Sequence, residues 1–245
     1  MNQIWLFILV GFLAQMIDGT LGMAYGVSGR TFLKTFLGLP SSLASAIIHV
    51  AEVPTTLVSG VSHLLLKNVD KDKLLKLAIP GIIGGAIGAW FLSDFGTYLE
   101  PFINVYLILM GIRILIKAIQ PKILTKEMGK SIYVLGFVGA FFDACGGGGW
   151  GPIVTSTMMA RGSDAKKTIG TVNTAEFLVT VAETTSFVLL IENLHLYASM
   201  IVSMIIGGVI AAPIATYLCK KLPTKPLMIA VGILIIVLNI YSLVS

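Results

Sequence analysis

The sequence predicts an all-α polytopic membrane protein built from two inverted-topology repeats. Three observations lead to this fold class. The chain is 56% hydrophobic and only 12% charged, about half the charged share of soluble domains. Its long apolar runs approach the roughly 20 residues that cross a bilayer. A glycine-interrupted motif occurs once in each half, so each repeat is expected to be a glycine-broken re-entrant or paired short-helix segment followed by three transmembrane helices.

The apolar runs account for most of the chain and define the expected membrane segments. They cover residues 4–17, 43–66, 74–92, 102–119, 168–191, 196–218 and 227–244. No polar stretch between them is long enough to form a soluble domain. The first run is accompanied by neither a basic segment nor a small-residue cleavage site, so we expect it to be a membrane element and not a removable signal peptide.

The lysines and arginines predict an orientation in the membrane. Fifteen of the 17 lie in four short loops, and such clusters favour the cytoplasmic side. The turns expected at 93–100 and 191–195 contain none and would face outside, as would both termini. Residues 1–34 and 131–160 would then each turn back within the membrane. Because the net charge of +5 comes from these loops, it does not indicate a nucleic-acid partner. The four loops are residues 67–76, 113–130, 161–167 and 220–225.

An internal repeat supports two halves, residues 1–120 and 121–245. The segment "GFLAQMIDGTLGMAYG" (11–26) aligns with "GFVGAFFDACGGGGWG" (136–151) at a constant offset of 125. Opposite orientation of two such halves is typical of secondary transporters, whose sites form where interrupted helices meet. The identical positions are Gly11, Phe12, Asp18, Gly22 and Gly26, which fall on Gly136, Phe137, Asp143, Gly147 and Gly151.

The glycine breaks are the candidate substrate site. Broken helices present free N–H groups and positive dipole ends, and adjacent glycines let the backbone approach a ligand closely. Close helix packing is the alternative for membrane glycines, but four consecutive glycines cover every face of a helical turn. These features suit a small oxyanion. The candidate substrate-binding residues are Gly19, Gly22, Tyr25, Gly26, Gly146, Gly147, Gly148, Gly149, Trp150 and Asn173.

Two polar stripes place ionisable groups within apolar segments, where such groups are functional candidates. The first contains Ser45, His49, Glu52, Thr56, Ser59 and His63, and the second contains Asn173, Glu176, Thr180 and Glu183. Both follow helical spacing. His49, Glu52 and Glu176 are the candidate proton-coupling residues, since a His–carboxylate pair exchanges protons near neutral pH. A hydrogen bond that only joins helices is the alternative for His49 and Glu52.

Four further residues at or near the breaks have more than one interpretation. Asp18 and Asp143 directly precede the breaks, and we expect them to be structural caps that accept N–H groups of the following short helix. Arg30 departs from the charge pattern and would attract an anion at the outer mouth or lie in a polar loop without a role. Cys145 is expected to be a small buried hydrophobe, with a reactive thiol as the alternative. The sequence predicts no cofactor and no metal site.

The segments "QMIDGTLGMAYG", "HVAE", "NVDKDKL", "DACGGGGWGPI" and "GTVNTAEF" resemble the sulfite exporter TauE/SafE family, also called the toluene sulfonate uptake permease family. The resemblance covers nearly the whole chain. It implies a permease for a small sulfur-containing anion, such as sulfite or an organosulfonate, in the plasma membrane of a bacterial or archaeal cell.

With this resemblance we expect a proton-linked secondary active transporter, working as an exporter and not as an enzyme, whose partners are the anion and the lipid bilayer. Three alternatives stay open. They are a passive anion channel, an importer of thiosulfate or sulfide, and an intramembrane enzyme using Cys145 or His49. Assembly into a homo-oligomer is also left open.

Overall fold

The computed structural model describes residues 2–119, 128–161, 163–219, 221 and 224–244, and none of these lies in a β-strand. The α-helices are α1 (Asn2–Leu21), α2 (Tyr25–Leu37), α3 (Ser41–Leu65), α4 (Lys71–Ile119), α5 (Ser131–Gly146), α6 (Ser156–Ala160), α7 (Ala165–Leu190), α8 (Ala198–Leu218) and α9 (Thr224–Val244). A π-helical turn, Gly151–Thr155, precedes α6, and a 3₁₀ turn, Leu194–Tyr197, precedes α8. The all-α prediction is therefore confirmed for these residues.

Glycines end the two helices that the repeat motif predicted to be interrupted. After α1, Gly22 takes a φ of 66°, and after α5, Gly147 takes a φ of 62°. Left-handed residues of this kind are common helix terminators. Pro152 lies in the first turn of the next helical stretch, a position where its missing N–H costs nothing. We call residues 22–24 the first break and residues 147–149 the second break.

Helix α4 reverses direction within its own length. A straight helix of 49 residues would be about 74 Å long. Yet Arg113, near its end, donates to Ser156 Oγ at 2.9 Å, while Lys73, near its start, lines one cavity with Met158 and Asp164. Both ends therefore approach the same segment. The sequence predicted a turn at 93–100, and the backbone instead stays helical through the reversal.

Within the described residues, five helical segments are long and apolar enough to cross a membrane. Large apolar side chains such as Trp5, Leu65 and Tyr98 are exposed on the outside of the structure, while polar stripes are buried, which is the arrangement expected in lipid. The multispanning prediction is confirmed to this extent. The five segments are Ile4–Leu21, Ser41–Leu65, Lys71–Phe95, Pro101–Ile119 and Leu194–Leu218.

Helices from the two halves of the chain pack against each other. Helix α3 packs on α7, α1 packs on α8, and α5 packs on α4. Small residues permit the close approach: a Cβ atom on Gly84 would overlap the backbone of Phe137, and one on Gly207 would overlap the backbone of Ile8. The α3–α7 pair lies at the centre and carries both polar stripes.

Candidate functional site

The two breaks contact each other directly in the interior. A Cβ atom on Gly26 would overlap the backbone of Gly147 and Gly148, and one on Gly151 would overlap the backbone of Gly22 and Met23. Gly26 and Gly151 occupy equivalent positions of the repeat. Each half therefore places a glycine against the break of the other half, and the two breaks cross at one point.

Two side chains connect the breaks at this crossing. Arg30 Nη1 donates to the backbone oxygen of Gly146 at 2.7 Å, and Thr155 Oγ1 donates to the backbone oxygen of Gly22 at 2.5 Å. Thr155 is the residue that the 125-residue offset places on Arg30. Arg30 is fully buried, so it lies neither in an exposed loop nor at an outer mouth. Among the side chains that the structure describes, it is the only buried lysine or arginine.

Asp143 holds the second break through both its backbone and its side chain. Its backbone oxygen accepts from the N–H groups of Gly147 and Gly148. Its side-chain Oδ1 accepts from the N–H of Trp150 at 3.0 Å, which begins the next helical stretch. Three of the N–H donors predicted to bind a ligand, those of Gly147, Gly148 and Trp150, are therefore engaged by Asp143 in this conformation.

Asp18 differs from Asp143, although the two occupy equivalent positions. Its backbone oxygen accepts from the N–H of Gly22 at 2.5 Å. Neither oxygen of its buried carboxyl group has a hydrogen-bond partner within the described part of the chain. The geometry expected of a cap is thus present at Asp143, whereas the Asp18 carboxyl lacks it.

His49 lies between two acids from other helices. Its Nε2 is 3.0 Å from Glu183 Oε2 and 3.8 Å from Asp143 Oδ2. Its Nδ1 lies 2.7 Å from the backbone oxygen of Ser45, which orients the ring so that Nε2 faces the acids. Helical spacing predicts that His49 pairs with Glu52 on the same helix, but the ion-pair partners of His49 come from α5 and α7. Among the described residues, these three side chains also place one donor atom each within 4.8 Å of the others.

Glu183 is not among the proton-coupling residues predicted from the sequence, although it contacts His49. The available signal was its place in the second stripe, seven residues after Glu176. All stripe residues are buried, and the stripes face each other, because Ser59 Oγ donates to Asn173 Oδ1 at 2.8 Å. The buried Oε2 of Glu176 has no hydrogen-bond partner among the described residues. Acids from both helices therefore line a shared interior.

The remaining predicted binding residues are divided between the crossing and ordinary packing. Tyr25 and Trp150 are buried in the protein and do not face lipid; Trp150 Nε1 donates to the backbone oxygen of Val172 at 3.2 Å. Gly19 packs against Ala215, where a Cβ atom would come within 2.6 Å of the alanine methyl group. Gly146 packs against the ring of Tyr106, and Gly149 packs against the hydroxyl group of the same side chain.

Comparison with known proteins gives one family and one relative. The family model described as Sulfite exporter TauE/SafE matches residues 7–242. The probable membrane transporter protein YtnM of Bacillus subtilis (strain 168) is 40% identical over an alignment of 254 residues. The alignment covers 100% of this chain and 84% of that relative. No solved structure matches the chain.

Proposed function

Since this chain belongs to the sulfite exporter TauE/SafE family, we propose that it is a secondary active permease that exports a small sulfur-containing anion, such as sulfite or an organosulfonate. A membrane transporter is the general function that its family and its relative indicate. The observation that carries the finer proposal is the crossing of two glycine breaks beside a buried arginine. Transporter sites form where interrupted helices from two repeats meet near the midplane.

The proposed repeats are residues 1–120 and 121–245, in opposite orientation. Two pairs of contacts support them. Gly26 against the second break matches Gly151 against the first break. The hydrogen bond from Arg30 to one break likewise matches the hydrogen bond from Thr155 to the other. Reciprocal contacts of this kind are what a pseudo-twofold axis between two repeats produces.

The proposed anion site is the second break together with Arg30. A guanidinium group binds oxyanions through two parallel N–H donors, and the backbone approaches closely here because Gly147 and Gly148 carry no side chains. Arg30 already reaches Gly146, the residue before this break. The first break has Thr155 instead, so the two halves of the site are chemically unequal and favour an asymmetric pose of the ligand.

The acids around the crossing make anion binding depend on protons. Five acids are buried with Arg30: Asp18, Glu52, Asp143, Glu176 and Glu183. Two like charges 4 Å apart repel by about 4 kcal/mol at an effective dielectric constant of 20. An oxyanion therefore enters this interior only if carboxyl groups take up protons. We propose that His49, Glu52 and Glu176 carry these protons.

The test begins with thermal stabilisation of the purified protein by sulfite, sulfate, thiosulfate, taurine and methanesulfonate. We expect at least one to raise the unfolding temperature and to move across proteoliposome membranes faster under a pH gradient. An absence of both effects across the whole panel would reject the anion permease. Large single-channel currents would instead identify a passive channel. Inward coupled flux of thiosulfate or sulfide would identify an importer.

Two substitutions on one helix test the place of the anion. Arg30→Gln removes the buried charge at the crossing, whereas Lys34→Gln removes a half-buried charge that donates to Asn104 at 2.9 Å. We expect the first variant to lose anion binding and the second to keep it. Wild-type affinity in a folded Arg30→Gln protein would place the anion elsewhere.

A further inference from the structure

The carboxylate of Asp143 occupies the place that a bound oxyanion needs. Its Oδ1 accepts from the N–H of Trp150 at 3.0 Å, and the N–H of Gly149 also faces this carboxylate. The helical stretch that starts here continues over residues 150–160. The side chain of Asp143 is thus an internal anion on two N–H donors, those of Gly149 and Trp150, at the site that the proposed function assigns to the substrate.

We propose that the side chain of Asp143 competes with the transported anion for the N–H groups of Gly149 and Trp150, at the end of the second break, and that a proton on its carboxyl group releases them to the anion. The inference rests on the proposed function, because it names the group at which proton and anion binding are linked. Proton binding and anion binding are then linked at one carboxyl group.

The competition follows from the strength of the hydrogen bonds involved. A hydrogen bond to a charged carboxylate is roughly twice as strong as one to a neutral acceptor. A protonated Asp143 therefore holds the N–H of Trp150 less tightly than the oxyanion does. It also no longer repels the incoming charge. Ionised Asp143 does the reverse and excludes the anion.

His49 lies in position to exchange the proton with Asp143. The second carboxyl oxygen, Oδ2, is buried, has no hydrogen-bond partner among the described residues and is 3.8 Å from His49 Nε2. A shift of about 1 Å brings these atoms into hydrogen-bond distance. When Nε2 gives its proton to Oδ2, the imidazole becomes neutral and the aspartate becomes a carboxylic acid. Glu183, 3.0 Å from the same Nε2, orients the ring for this exchange.

The repeat supplies a built-in control, because Asp18 is equivalent to Asp143 but has neither contact. Both aspartates are buried, and replacement of either by asparagine removes the same ionisable group. Other charged and titratable groups also surround Asp143. They are His49 and Glu52 on α3, Glu176 and Glu183 on α7, Asp18 on α1, Arg30 on α2, Tyr106 on α4 and Cys145 on α5 itself.

The experiment measures anion affinity against pH in the wild type, Asp143→Asn and Asp18→Asn. The probe is methanesulfonate, whose charge is constant over the range, with sulfate as the second constant-charge probe. In the wild type we expect Kd to rise as pH rises, by up to tenfold per pH unit where one proton is linked. In Asp143→Asn the neutral amide competes weakly at every pH, so Kd should be lower than in the wild type and should rise less steeply with pH, with only the dependence that the other buried acids contribute. Asp18→Asn should keep the wild-type slope.

Several outcomes would overturn the proposal. These are a wild-type slope in Asp143→Asn, an equal flattening in Asp18→Asn, and a pH-independent Kd in the wild type. If Asp143→Asn does not fold, infrared difference spectra of the wild type decide: anion addition must produce a protonated-carboxyl band, and its absence rejects the linkage. Binding that requires a divalent cation and disappears with a chelator would instead assign His49, Asp143 and Glu183 to a metal. No binding at any pH would reject the proposed function itself.

Discussion

Gly147 and Gly38 form a matched pair for testing whether the crossing needs its glycines. Both end a helix at nearly the same φ, 62° and 63°. A Cβ atom on Gly38 would meet nothing within 4 Å, whereas one on Gly147 would overlap the side chain of Arg30. Substitution of either by alanine forces a left-handed conformation that costs about 1–2 kcal/mol. Only the Gly147 substitution also displaces the guanidinium group.

The displacement adds a second cost that can be estimated. Arg30 would lose its buried hydrogen bond to Gly146, and a hydrogen bond involving a charged group contributes about 1.5–3 kcal/mol. We therefore expect Gly38→Ala to lower the free energy of unfolding by about 1–2 kcal/mol and Gly147→Ala by about 2.5–5 kcal/mol. The unfolding temperature should fall by roughly 2–4 °C per kcal/mol.

Thermal unfolding of the purified variants, with and without the anion, measures both effects. Gly147→Ala should also lose anion binding, while Gly38→Ala should retain it. Equal destabilisation of the two variants, with normal anion binding in both, would refute the contact between Arg30 and the second break. The same result would show that the two breaks meet only through ordinary helix packing.

Two further predictions concern the interior hydrogen bonds and the orientation. Thr155→Val removes the donor to the backbone oxygen of Gly22 and should destabilise the protein by about 1–3 kcal/mol in thermal unfolding. The control is Thr185→Val, because the exposed hydroxyl of Thr185 donates to the backbone oxygen of Val181 on its own helix. This control should change stability by less than about 0.5 kcal/mol. The charge pattern predicts that a C-terminal reporter is active outside the cytoplasm, and a reporter active only in the cytoplasm would contradict the opposite orientation proposed for the two halves.

The sequence by itself determined the membrane class, the helical fold and the positions of both breaks. These properties depend on local composition: apolar runs set the helices, and consecutive glycines followed by Pro152 interrupt them. The offset of 125 also identified which residues of the two halves are equivalent. The stripes on α3 and α7 were predicted correctly because helical spacing alone decides which side chains share a face.

Only the tertiary structure decided which of these groups meet. Spacing along one helix paired His49 with Glu52, but the neighbours within 4 Å are Glu183 and Asp143, which are 134 and 94 positions away in the chain. Arg30, expected at an outer mouth or in a polar loop, lies buried at the crossing for the same reason. A contact between distant segments depends on how helices cross, and that geometry is set by packing across the whole protein and not by any local stretch of sequence.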